Sequence, residues 1–497
     1  MSLIGVDIGS SSVKIAAYRE DGRLLAQAKE GLTARRPQPG WWENDPREVW
    51  SRTLECLGRI ATAGTVRRNP PVALAISASG REIFPVDGKG AALGPCIMAG
   101  DTRGADIEAS TSGRASAEKW YAACGHLPER MDPVNRLLWW RRNHPEVTAR
   151  TAQFLGWHEF LTLRLGGRAV TDPSLAGKWL IYDNTTRGWS SERLAEFKVD
   201  PRILPEIQPW GSCVSVLKSP LARKLGLPQD LKIALGGFDC SCAAAGCGAS
   251  EVGTAALVCG SWEDLIVPTD HAPPFETVPT GMAVGPHPGS AGLAVHALSP
   301  NGTTVLDWAR DLLHLPLSQL DNQLQRSGSE PSPVMAIPHF SGATVAWVNG
   351  RRSRGALMGL TLSTSRLDVM KALVEGITYD LSLALQSLRR AGLTISVLRA
   401  AGGGTRLAWW MQLTANLCGV PIEVINQPEP GTLGAAVLAG LAAGVYSSLE
   451  LGAKSCLAVS RRYDPDPRRG GLYNDRLKAY EAAAAALLRA GGDEPAT

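Results

Sequence analysis

The sequence predicts an α/β protein of two lobes, and three observations lead there. Its 497 residues exceed the ~100–200 residues of an ordinary single domain. Short apolar runs ending in Gly, Asp or Ser alternate with helical patterns, as strands do when they feed loops at their carboxyl ends. The order strand, hydroxyl-bearing turn, strand at the start of the chain returns near residue 251, a faint internal duplication without a fixed period. The expected division is residues 1–250 for the first lobe and 251–490 for the second, with 491–497 a frayed tail.

Each element follows from its residues. Residues 3–9 form a short apolar run closed by Asp7 and Gly9, and 13–18 resume it, which reads as strand, tight turn, strand. Asp21-Gly22 then turns the chain into a third strand over 23–26. Asn44-Asp45 cap a helix over 46–60. Residues 72–77 and 231–237 are buried-strand patterns, the first running into Ser79-Gly80-Arg81-Glu82 and the second into Phe238-Asp239. In the second lobe, strands over 254–259 and 396–400 run into Gly260-Ser261 and Gly402-Gly403-Gly404, and helices follow over 409–417 and 475–488.

Composition narrows the classes. Hydrophobic residues at 44% and charged residues at 20% fit a folded globular chain. The net charge of +4 is small, and arginine runs such as 351–354 are scattered, so nucleic acid is not an expected partner. No basic leader precedes an apolar stretch at the N-terminus, which makes the cytoplasm the expected compartment. Residues 430–449 carry no charge, yet their alanines and glycines suit a buried helix packed on a sheet rather than a membrane span. Ten cysteines without a secretory leader read as reduced thiols, and Cys240, Cys242 and Cys247 lack the spacing of zinc knuckles.

Asp7-Ile8-Gly9-Ser10-Ser11-Ser12 with Lys14 has the makings of a phosphate and metal turn. Glycine lets the backbone approach, hydroxyls and amides donate, and the carboxylate can hold Mg²⁺. A hairpin turn with a solvated Asp is the plain alternative. Arg81 and Glu82 can grip vicinal hydroxyls as donor and acceptor; an ordinary ion pair is the alternative. Asp239, at a strand end, can accept a hydroxyl proton or cap the Ala-rich helix behind it, and the two roles are compatible. Among fifteen tryptophans, Trp41, Trp42, Trp120 and Trp262 are candidates to stack on a sugar.

Further segments occur in a telling order: Gly40-Trp41-Trp42-Glu43-Asn44-Asp45-Pro46, Asp101 with Arg103, Thr171-Asp172-Pro173-Ser174, Gly236-Gly237-Phe238-Asp239, the segment from Gly355 to Leu360 with Asp368 and Glu375, Gly402-Gly403-Gly404 with Trp410 and Gln412, and Glu429 to Ala436. From Ile4 to about Tyr446 the chain resembles the FGGY carbohydrate kinases. The resemblance implies two actin-like (ribonuclease-H-like) lobes with a nucleotide and sugar cleft between them. It implies ATP and Mg²⁺ as cofactors and Asp239 as the catalytic base, with Asp7 and Asp239 toward the metal. Nucleotide contacts carry over to Asp7, Gly9, Ser10, Ser11, Ser12, Lys14, Gly260, Ser261, Gly402, Gly403, Gly404 and Gln412. Sugar contacts carry over to Arg81, Glu82, Asp101, Asp239 and Trp262, and the helix from Glu429 is similar to the one that backs the adenine pocket.

The second phosphate turn, Cys259-Gly260-Ser261-Trp262, departs from the family's usual Gly-Thr. Arg81-Glu82 resembles the loop of glycerol and autoinducer-2 kinases, and Asp101 lacks the Trp-Asn that commonly precedes it in xylulose kinases. The acceptor classes therefore include a pentulose or related ketose and a glycerol-, tetritol- or autoinducer-2-like polyol. A homodimer is compatible with the resemblance, and no membrane partner is expected. The rival from another class is a nucleotide-binding, chaperone-like relative that transfers nothing to sugar; Asp239 and the Arg81-Glu82 loop speak against it.

Overall fold

The computed structural model describes residues 1–277, 282–342 and 353–490; Arg351, Arg352 and the tail expected at 491–497 lie outside them. The chain divides into two compact units. The first comprises Met1–Ser250, Val284–Ala294 and Glu429–Leu457, and the second comprises Glu251–Ala283, Val295–Pro428 and Ala458–Thr497.

The first unit is built on β1 (Ser2–Ile8), β2 (Ser12–Tyr18), β3 (Leu24–Gly31), β4 (Pro71–Ala78), β5 (Cys213–Val216) and β6 (Lys232–Phe238). They form one sheet in the order β5-β6-β4-β1-β2-β3. β1 pairs parallel with β4 and antiparallel with β2, and β4 pairs parallel with β6. The carboxyl ends of β1, β4 and β6 thus lie side by side, and each leads into a segment expected to be functional. Helix α1 (Pro46–Thr62) covers one face through Val49, Leu57 and Ile60, and the Asp45 side chain caps it by accepting from the Arg47 amide.

A second sheet has seven strands: β7 (Gly253–Cys259), β8 (Glu263–Thr269), β9 (Met282–Pro286), β10 (Leu293–Ser299), β11 (Ile395–Ala401), β12 (Ile422–Ile425) and β13 (Val459–Tyr463), in the order β9-β10-β8-β7-β11-β12-β13. β7 pairs antiparallel with β8 and parallel with β11, β11 parallel with β12, and β12 antiparallel with β13. The first sheet has the same plan around β1, so the repeated turn motif reflects a repeated topology.

Two helices show why the uncharged stretch is rich in small residues. Helix Asp239–Gly246 and helix Pro430–Ala443 cross with backbones in contact: a Cβ on Gly434 would stand 1.8 Å from the Cys242 carbonyl oxygen, and one on Gly246 would stand 2.1 Å from that of Pro430. A Cβ on Gly5 in β1 would likewise meet the Thr432 carbonyl at 1.8 Å. Only glycine permits such approach. Helix Pro430–Ala443 therefore packs into the first unit, although a single cut of the chain would assign it to the second lobe. Among the described residues no helix is long and apolar enough to cross a membrane. All ten cysteines are free, and nine of them, including Cys240, Cys242 and Cys247, are buried.

Candidate active site

In the first unit Asp7 is the next-to-last residue of β1, and the turn that follows is closed by the Gly9 amide donating to the Ser12 carbonyl at 3.1 Å. Ser10 and Ser11 are exposed, whereas Ser12 is buried as the first residue of β2. Asn44 donates to the Ser10 carbonyl at 3.0 Å and braces the turn. The Ser77 hydroxyl donates to Asp7 Oδ1 at 2.7 Å, and Lys14 Nζ lies 3.8 Å from Asp7 Oδ2 and 2.6 Å from Glu429 Oε2. Burial raises the Asp7 pKa above the ordinary carboxylate value, with Lys14 opposing. A Cβ on Gly431 would come within 3.2 Å of Asp7 Oδ1, so the start of helix Pro430–Ala443 closes over this carboxylate.

Asp239 is the first residue of its helix. The N-cap is Phe238, so Asp239 is not the cap the sequence suggested; its Oδ1 accepts from the Cys240 amide at 2.8 Å. Burial, then the charges of Asp7 and Glu82, push its pKa up to about 6. The Thr171-Asp172-Pro173-Ser174 segment holds the strand end that delivers it. Ser174 Oγ donates to Asp172 Oδ1 at 2.5 Å and accepts from the Phe238 amide at 2.9 Å.

Arg81 and Glu82 follow β4 as expected, but the Arg81 guanidinium is engaged by Asp132 and lies 3.4 Å from Glu129. Glu82 is buried and accepts from the Arg81 amide at 3.2 Å. Asp101 departs further from expectation. It is fully buried, and its oxygens accept from the Trp42 amide at 2.6 Å and from the Arg103 amide and guanidinium, so it offers no free carboxylate to a sugar. Arg103 also reaches Glu43 at 2.6 Å and stacks over Trp41 at 4.0 Å. The tryptophan-rich segment is thereby a scaffold: Trp41 faces Arg103, Trp42 faces Arg36, and Trp120 is core.

In the second unit the Gly260–Trp262 turn follows β7 and is clasped to helix Thr303–Leu313. The Gly260 carbonyl accepts from the Thr303 amide at 2.8 Å, and the Ser261 carbonyl accepts from the Thr304 hydroxyl at 2.7 Å. Gly402, with φ of 98°, lies against the same strand end: its Cβ would meet the Cys259 carbonyl at 2.6 Å. Gly403 faces open space, so the expected turn and glycine trio converge within this unit. Trp262 is exposed. Gln412 spends its amide on Asn416 and the Asp464 carbonyl, both at 2.9 Å, rather than presenting it to a nucleotide. Asp368 completes a helix capping box with Ser365, and buried Glu375 accepts from the Ser332 amide, so both are structural.

Sequence reasoning passed over Lys178, quoted Ser77 and Ser174 only within a strand and a motif, and gave Glu429 no part beside Lys14. Lys178 is 4% exposed, with Nζ 4.2 Å above the Phe238 ring. Burial and the nearby Arg81 push its pKa down to about 8.

Each unit thus carries a strand-end turn bearing hydroxyls, with Asp7 and Asp239 in the first unit and the glycine trio in the second. The N-terminal domain of the FGGY family of carbohydrate kinases matches residues 2–246 and the C-terminal domain matches residues 255–443. The chain belongs to the FGGY family and is a carbohydrate kinase. It is 25% identical over 496 residues to the xylulose kinase of Escherichia coli K12, covering 98% of this chain and 99% of that one. It is 24% identical to the L-xylulose/3-keto-L-gulonate kinase of the same organism, over 97% of each chain. Among solved structures, gluconate kinase from Lactobacillus acidophilus superposes with a TM-score of 0.89 at 23% identity, covering 98% of both chains.

Proposed function

We propose that this kinase transfers the γ-phosphoryl group of ATP to a hydroxyl of a small sugar or polyol, with Asp239 as the base. The observation that carries the reading is the position of Asp239 at the end of β6, beside the ends of β4 and β1, where burial and the charges of Asp7 and Glu82 raise its pKa to about 6. The acceptor hydroxyl gives its proton to Asp239 Oδ2, since Oδ1 already accepts from the Cys240 amide. Its oxygen then forms the bond to phosphorus as the bond to ADP breaks.

Lys14, steadied by Glu429, supplies positive charge beside Asp7, where the exposed Ser10 and Ser11 can donate to phosphate oxygens. Asp7 raises the proton affinity of Asp239, a relation that a hard divalent cation would relieve, and Asp7 and Asp239 would hold Mg²⁺. When bound, Mg²⁺ neutralises charge on the nucleotide phosphates. The second unit's Gly260–Ser261 turn and Gly402–Gly404 are proposed as further nucleotide contacts, with Gly403 the residue that leaves room for a close approach.

For the acceptor, the name xylulose kinase borne by relatives puts a ketose first, and Arg81 and Glu82 place polar groups after β4 in support. A panel of ketoses, alditols, deoxysugars and sugar acids, read by ADP release on the wild type and on Asp239→Asn, tests the reading. Stimulation by a sugar that the variant loses is the expected result; no sugar-dependent ADP release from the wild type would overturn it.

A further inference from the structure

We infer that Lys178 is a substrate-binding residue that takes the carboxylate of a sugar acid, so that the preferred acceptor is an aldonate or keto-aldonate. The inference rests on the kinase reading above and, where the relatives' name puts a ketose first, puts a sugar acid first instead.

A buried ammonium is costly unless it is paired. Every other charged group around this one has partners. Arg81 faces Asp132 and Glu129; Asp132 also accepts from the Glu129 amide at 2.7 Å; Glu82 accepts from the Arg81 amide; Asp239 accepts from the Cys240 amide. His126, buried and driven neutral, has its ring nitrogens against the Leu127 and Gly177 carbonyls. Among the described residues no hydrogen bond or ion pair is made by Lys178 Nζ: the Phe238 ring lies 4.2 Å away, and the acids Asp239 and Glu129 attract it without direct contact. An aromatic face balances a cation by ~0.5–2 kcal/mol, less than a carboxylate in direct contact does.

The position is a built one. The Lys178 stem packs where a Cβ on Gly80 would be, 3.1 Å from Cγ, beside Phe238 at 3.1 Å. Lys178 therefore sits between the residue before Arg81 and the residue before Asp239. Its electrostatic neighbours are Arg81, Asp239 and Glu129, whereas those of Asp7 are Lys14 and Glu429. This puts Lys178 on the acceptor side of the base. Two residues on, buried Leu180 has φ of 50°, a left-handed conformation that a branched side chain adopts only where the surroundings impose it. A buried cation with no acid in direct contact, beside an imposed backbone conformation, marks a place kept for a ligand, and the ligand group that suits an ammonium is an anion.

The test compares matched acceptors on the full chain: D-gluconate with D-glucitol, D-xylonate with xylitol, and 2-keto-D-gluconate with D-fructose. At least one acid should exceed its neutral partner ~30-fold in kcat/KM, the scale of one charge-assisted hydrogen bond. Lys178→Met should lower kcat/KM for that acid ~30-fold, through KM for the acid and not KM for ATP, and Lys178→Arg should recover most of the loss. Neutral partners used as well as the acids would overturn the inference. So would a Lys178→Met variant that raises KM for ATP with the acid-to-neutral ratio unchanged, which would assign Lys178 to the transferred phosphoryl group. If no acceptor of either kind is phosphorylated, the sugar-kinase reading fails separately, and calorimetry without nucleotide decides the acid site. Binding of an acid by the wild type that is lost in Lys178→Met supports it, and absence of binding by all three acids overturns it.

Discussion

Replacing Asp239 by Asn should make the protein slower and more stable at once. The carboxyl's pKa of about 6 lies above its ordinary 3.8, because burial and the charges of Asp7 and Glu82 oppose ionisation. The fold therefore holds the proton more tightly than the unfolded chain does. The contribution of Asp239 to stability is whole below pH 3.8 and is lost as the pH rises through about 6. A rise of about two pH units corresponds to at most ~3 kcal/mol, and because Asp239 is partly exposed, solvent screening reduces this to ~1–2 kcal/mol. Asn keeps the shape and can still accept from the Cys240 amide, but it carries no charge. At pH 7 its Tm should exceed the wild type's by ~2–8 °C, and the two should converge near pH 4. Turnover should fall by at least ~10²-fold, as for the loss of a general base. In the wild type, log kcat/KM should rise with pH and level off above about 6, leaving roughly a tenth of the plateau at pH 5. The assays are a melt at the two pH values and ADP release with sugar in excess. A variant that turns over within ~3-fold of wild type, or that is less stable at pH 7 by as much as at pH 4, would refute the reasoning.

Lys14→Met should raise KM for ATP by ~10-fold or more while moving stability by less than ~1 kcal/mol, because both partners of the Lys14–Glu429 pair are partly exposed; a large fall in Tm with KM unchanged would make the pair structural. Ser174→Ala removes the acceptor of the Phe238 amide and should lower kcat by ~10-fold with little change in KM for the sugar, and equal kcat in the two proteins would deny it a positioning role. Gly434→Ala forces a methyl to within 1.8 Å of the Cys242 carbonyl and should cost ~1–3 kcal/mol, a fall of ~2–12 °C in a melt; an unchanged Tm would mean that the two helices separate freely.

What could be read in advance follows from distance along the chain. The Asp7–Lys14 turn and the glycine trio are local: alternating apolar residues set the strands, glycines set the turns, and the hydroxyls lie within a few residues of one another. The repeat of this pattern after β7 was visible for the same reason. Glu429 is 415 positions from Lys14 and Ser77 is 70 from Asp7, so no periodicity or spacing links either pair. Only the parallel pairing of β1 with β4 and the return of helix Pro430–Ala443 to the first unit's sheet bring them together. The small residues of that helix were legible as a sign of close packing, but not the sheet against which it packs.

Asp101 and Lys178 mark the opposite limits of reasoning from residue type. A carboxylate next to an arginine in a polar loop suggests a ligand, yet the Trp42 amide, Arg103 and Arg136 surround Asp101 so fully that its charge is spent on holding the loop. A lysine between glycine and tryptophan suggests nothing, yet the fold carries it into the interior and sets an aromatic ring, not an acid, in direct contact with it. The difference lies in the balance of partners around each group. A buried charge whose donors and acceptors are all supplied by the chain stabilises structure, and one left short requires something from outside. By that criterion, Asp101 belongs to the scaffold, and Asp239 and Lys178 belong to the chemistry: Asp239 has its pKa raised by burial and then by like charges, and Lys178 is held without an acid in direct contact.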